Sequence, residues 1–265
     1  MSIACPSLIA NYSPVLCAAV DNYCERTSPA LDAEPINALT NLAFLVAAWG
    51  TWRLLCSHAR FQKRGLVLAL MWTTVIVGLR SFLFHTVGTR WAEWGDVLPI
   101  MVFMLLYLWL ALTVFLRWPA WLKLIAMGVY FVATFYLEAA VPATLLWGGA
   151  LYLPTMLLMI AVGITLYWQR SRAAAGIFTA AAVFLLSFSA RTLDAEICPI
   201  LPIGSHFMWH LLNATLLYVL MRVAILHSAS GQGFVLWVLM SVSAGQHEVR
   251  LLGSFGANLA VIPGL

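Results

Sequence analysis

The chain has 265 residues, of which 63% are hydrophobic and 9% charged, and its formal net charge is +4. A soluble domain of this size carries about 25% charged residues, so the composition argues against an ordinary water-soluble enzyme. It also argues against a nucleic-acid binder, because such proteins gather basic residues on one exposed face and this chain has few. A mean hydropathy of +0.93 means more apolar surface than one compact core can hide, and lipid must cover the rest.

The first twenty residues, MSIACPSLIANYSPVLCAAV, have no basic leader and are broken by Pro and polar residues, so they do not read as a signal peptide. Residues 1–36 are expected to form an outer segment. A membrane helix needs roughly 20 mainly apolar residues. Seven such stretches follow, at 37–56, 65–86, 94–116, 120–139, 143–168, 173–190 and 205–227. The expected fold is therefore all-α, a polytopic seven-transmembrane-helix bundle over residues 37–227, with a tail at 228–265. Residues 233–244 are apolar but too short to span. The twelve Trp are expected to anchor at the membrane interface.

Basic residues mark the inner loops of multi-spanning proteins. Arg53, Arg60, Lys63, Arg64, Arg117, Lys123, Arg170, Arg172 and Arg222 all fall on one side, with no acid among them. The other side holds Asp21, Glu25, Asp32, Glu34, Glu93, Asp96, Glu138, Asp194 and Glu196 against Arg26, Arg80, Arg90 and Arg191. This partition predicts the N-terminus outside and the C-terminus inside.

Ionisable groups at membrane depth are costly and usually face the bundle interior. Near the end of the second stretch the chain reads GLRSFLFHTVGTRWAEWGD, which puts Ser81 and His85 on one helical face, with Asp96 eleven residues after His85. At the start of the seventh, SHFMWH sets His206 and His210 four residues apart. All five lie near the outer helix ends and could converge. Three neutral imidazoles make a sufficient shell for catalytic zinc and leave its fourth position open. Asp96 is then the candidate general base, and Ser81 the candidate hydrogen-bond donor to water or oxyanion.

Each residue also has a plainer reading. His85 alone could be an interhelical hydrogen-bond partner, Ser81 a helix-packing residue and Asp96 a cap for its own helix. His58, His227 and His247 read as solvated. Retinal chemistry needs a Schiff-base lysine, and the only lysines, Lys63 and Lys123, are on the inner side. A transporter should carry ionisable groups through the whole depth of the bundle, whereas here they crowd at the outer end.

The blocks DNYCERTSPALDAEPINALTN, SFLFHTVGTRWAEWGD and SHFMWH resemble the alkaline ceramidases, members of a seven-span superfamily that includes the progestin and adiponectin receptor-like proteins. The resemblance implies zinc on His85, His206 and His210, with Ser81 and Asp96 at the zinc-bound water. It further implies hydrolysis of the ceramide amide, or that of a similar N-acyl membrane lipid, to a sphingoid base and a fatty acid. It also implies calcium at the outer segment, for which Asp21, Tyr23, Glu25, Thr27 and Glu34 are the candidates; an acidic solvated segment is the alternative. Five Cys is an odd count, so at least one is free or pairs with another molecule. The family resemblance suggests a bridge between Cys24 and Cys198. In a bacterial owner the protein would sit in the plasma or inner membrane with its site toward the outer face. The competing function is a seven-span lipid receptor holding structural zinc.

Overall fold

A computed structural model describes residues 5–228 except 59, 147 and 148. The expectations for the tail, including the apolar run at 233–244 and His247, lie outside the described residues. Helices account for 78% of the described residues, and no strand forms among them. Seven helices are long and apolar enough to cross a membrane: Pro35–Ser57, Arg64–Val87, Arg90–Val114, Ala120–Ala140, Ala150–Trp168, Ala173–Thr192 and His206–Ser228.

Ahead of them, a short helix at Ser7–Tyr12 and a 3-10 turn at Pro14–Cys17 lie against the start of the third span. They are pinned there by an isolated bridge between Ala19 and Thr89. Within the bundle the second span packs on the first and third, and the fifth on the sixth. A large apolar core built around Leu70, Leu110, Ile177 and Met221 joins them. In lipid no water is at hand for spare polar groups, so hydroxyls must be satisfied internally. Thr51, Thr74, Thr113 and Thr134 each donate to the carbonyl four residues back.

Three boundaries differ from the hydropathy reading, each for a polar reason that hydropathy cannot register. The third span begins at Arg90, not 94, because Gly88 ends the second span in the left-handed region (φ 59°) and Thr89 is extended. Asp96 therefore lies in the second turn of its helix, and its reading as a cap is excluded. The fifth span begins at Ala150 rather than 143: Ala143–Leu146 forms a separate turn, and the Glu138 carboxylate accepts the Leu151 N–H at 2.9 Å, holding a helix start there. The first span is continuous in length but breaks at Asn41 into Pro35–Thr40 and Leu42–Ser57. Thr40 Oγ1 and Asn41 Nδ2 donate to carbonyls of the preceding turn and compete with the helical ladder.

Two histidines read as solvated are engaged. His58 Nδ1 lies 3.1 Å from the Leu54 carbonyl at its helix end, and the His227 ring packs edge-on against Phe115. Trp209, grouped with the interface anchors by composition, is buried inside the bundle.

Candidate metal centre

The second and seventh spans bring His85, His206 and His210 together. Their ring centroids lie 4.7 to 5.1 Å apart. One ring nitrogen from each falls within 4.8 Å of the others, and all three side chains are buried. The chain fixes each ring by a different device.

His85 Nδ1 lies 2.6 Å from Glu34 Oε2, and the Asn37 amide donates to the same oxygen at 3.0 Å. The other Glu34 oxygen takes the Arg26 guanidinium, whose Nη2 also donates to the His85 carbonyl at 2.8 Å. Burial alone would raise the Glu34 carboxyl, but the hydrogen bond and charge at His85, then Asn37 and Arg26, outweigh it and hold the group below its ordinary range. A carboxylate at Nδ1 leaves the lone pair on Nε2, the arrangement that orients histidine ligands in metal sites. Gly88 makes room for this: a Cβ there would meet the guanidinium of Arg26 at 2.5 Å.

His210 Nδ1 lies 2.9 Å from Thr40 Oγ1. The Thr40 hydroxyl has one proton and gives it to the Ile36 or Asn37 carbonyl, so it accepts from Nδ1 and again frees Nε2. His206 is set by its backbone. Asp194 Oδ1 accepts the N–H groups of Ser205 and His206 at 2.6 and 2.8 Å, capping the seventh span, while Oδ2 accepts from Cys24. Tyr23 stacks on the His206 ring at 3.5 Å between centroids. Burial pushes the Tyr23 phenol up to about 12 even with Arg191 opposing, so it stays protonated.

His85 Nε2, His206 Nδ1 and His210 Nε2 are buried with no hydrogen-bond partner. A buried polar atom without a partner costs stability. Three such nitrogens meeting at one point fit a cation held by three neutral imidazoles, and a nitrogen donor set of this kind suits zinc among the transition metals.

Ser81 lies beside Asp96. Asp96 Oδ1 is buried and has no hydrogen-bond partner among the described residues. The turn carrying Asp96 is braced from the second span. Pro99 has no N–H, which leaves the Gly95 carbonyl without its helical donor, and Arg80 Nε donates to it at 3.3 Å. A Cβ at Gly95 would collide with that guanidinium.

Below this polar cluster a cavity runs down the bundle axis. Ser81 and His210 line the end next to the histidines, and Phe103, Leu108, Val162 and Leu220 lie along its depth. From His210 to Leu220 the wall extends about 15 Å at the helical rise.

Several acidic groups of the N-terminal segment are otherwise employed. Both Glu25 oxygens accept backbone N–H groups at the start of the first span, from Ile36 at 2.7 Å and Asn37 at 2.8 Å. Glu34 is committed to Arg26 and His85, Tyr23 stacks on His206, and Asp21 and Thr27 are exposed. The carboxylates of Asp21, Glu25 and Glu34 form no metal-sized cluster among the described residues. Cys24 and Cys198 are joined by a disulfide that ties this segment to the loop before the seventh span. Cys5 and Cys17 form another, and Cys56 is free and exposed.

Residues 18–235 match the Ceramidase family. The chain belongs to the ceramidase family. That span takes in all seven helices and every group of the polar cluster, and it bears out the resemblance to the alkaline ceramidases. No curated protein matches the chain. Membership of this ceramidase family implies a hydrolase acting on amides and a lipid substrate, and the seven apolar helices imply a multi-pass membrane protein. Sequence reading did not anticipate Glu34 and Arg26 as supports of His85, Thr40 as the partner of His210, or Asp194 as the cap that places His206.

Proposed function

We propose that this ceramidase-family protein is a zinc-dependent intramembrane amidohydrolase that cleaves ceramide or a similar N-acyl lipid to a sphingoid base and a fatty acid. The observation that carries this reading is the set of three unpartnered imidazole nitrogens at one end of an apolar cavity. His85, His206 and His210 would hold the zinc, which when bound lowers the pKa of water to about 7 and polarises a carbonyl. The cavity takes the hydrocarbon chains and sets the amide beside Ser81 and Asp96. Asp96 accepts a proton at Oδ1 from the attacking water, and as the C–N bond breaks it returns that proton to the departing nitrogen. Ser81 donates a hydrogen bond that holds Asp96 in place or meets the oxyanion as the carbonyl becomes tetrahedral. The apolar walls keep bulk water from the reacting groups.

In this reading residues 1–36 are the outer segment, 37–227 the catalytic bundle and 228–265 the inner tail. The one-sided distribution of nine basic residues supports placing the site toward the outer face. His206→Ala and Asp96→Ala are expected to bring hydrolysis of a fluorescent ceramide to background while thermal unfolding stays cooperative, and only His206→Ala should empty the metal site in elemental analysis. Undiminished turnover in both variants would overturn the proposal. Tight lipid binding with no turnover by the metal-loaded wild type would instead indicate a receptor.

A further inference from the structure

Asn213 lies three residues beyond His210 on the same face of the seventh span, about 4.5 Å further along the axis. It is 9% exposed, and its side chain lines the cavity immediately below the histidines. The other buried asparagines near the site give their amide N–H groups to the protein: Asn37 donates to Glu34 and Asn41 to the Asn37 carbonyl, although the Oδ1 of each has no partner among the described residues. Asn213 has no hydrogen-bond partner among the described residues. The cavity wall around it includes the apolar side chains of Phe44, Val77 and Leu217, which can offer none. A buried amide in that state is costly, and a ligand that supplies the missing partner removes the cost.

The chemistry of that ligand group follows from the lining. The amide presents donor and acceptor side by side, which a hydroxyl, itself both donor and acceptor, can answer with one atom. No Lys or Arg lines the cavity, so a phosphate or carboxylate would have no counter-charge there. With the amide of the lipid beside Ser81 and His210, the position of Asn213 is reached by a substituent on the tail side, a few bonds from the carbonyl. Resting on the reading of the site as an amidohydrolase, we propose that Asn213 is a specificity residue. It binds a hydroxyl carried on the lipid chain next to the scissile amide.

The test compares ceramide with its analogue lacking the 3-hydroxyl, on wild type and on Asn213→Leu, a swap of similar size. Wild type is expected to favour the hydroxylated lipid by roughly 10- to 100-fold in kcat/KM, the range set by leaving one buried polar group unpaired. In Asn213→Leu the ratio should fall to near one, and the midpoint of thermal unfolding should not drop, because no protein contact is lost. Retention of the preference in the variant, or an equal preference of wild type for both lipids, would overturn the assignment. Equilibrium binding of the same two lipids to Asp96→Ala protein, with and without Asn213→Leu, separates this from the hydrolytic reading. If neither lipid is cleaved but selective binding is present and vanishes with Asn213→Leu, the hydrolase reading fails and the subsite stands. If binding is unselective, the subsite fails.

Discussion

The second and fourth spans have similar lengths, 24 and 21 residues, and both are apolar enough to cross a membrane, yet they do different work. In the most apolar window of the second span 44% of residues are buried, against 17% in that of the fourth. The second span carries Ser81 and His85 and is enclosed by the first and third. The fourth turns Ile125, Val129, Val132 and Tyr136 outward, where lipid would meet them. Length and hydropathy thus mark a helix as membrane-spanning, while the polar residues on one face decide whether it sits at the centre of the bundle. Lipid is as apolar as leucine, so a purely apolar helix gains little from a central position, whereas one carrying His and Ser needs partners.

Substitutions at the two places should separate them sharply. The largest effect is expected from Arg26→Met, which strands the buried Glu34 carboxylate beside the second span. Removing one partner of a buried pair costs about 3–5 kcal/mol, seen as a marked fall in the thermal midpoint of the purified protein. A wild-type midpoint would show that the pair is not structural. Next is Glu34→Gln, which preserves shape but takes the charge from His85 Nδ1. Zinc affinity, measured by competition with a chelator, is expected to drop roughly 10- to 100-fold while lipid binding changes little. The smallest belongs to the fourth span, where Val132→Leu should alter stability by no more than about 0.5 kcal/mol and leave turnover as it was. A large effect there would mean that this face is covered by protein rather than lipid.

Much of this architecture was legible in the residues themselves. Bilayer thickness forces runs of about 20 apolar residues, so seven spans could be counted before any coordinates. The four-residue spacings of Ser81 with His85 and of His206 with His210 placed those pairs on common faces, since helical periodicity is a local property. What could not be read depends on distant pairing. The family resemblance puts Glu34 among the calcium candidates, and only the fold brings it to His85, 51 residues away. Asp194 looked like one more outer acid, although it caps the seventh span and fixes His206. The late start of the fifth span was hidden because residues 143–150 carry no charge and the break depends on one carboxylate, Glu138. Nothing in the sequence marks Asn213, because only the cavity shows that its amide lacks a partner.

The distribution of sulfur gives a second reading of which way the protein faces, independent of the arginines. Both bridged pairs, Cys5 with Cys17 and Cys24 with Cys198, lie at the end of the bundle that holds the histidines, and the unpaired Cys56 lies at the other end of the first span. Disulfides persist where the surroundings oxidise, and thiols stay reduced where glutathione or thioredoxin operates. Two bridges at one end of the bundle and a free thiol at the other support the proposed placement of the histidines on the outer side. The chemistry at the histidines would then take place in the oxidising compartment.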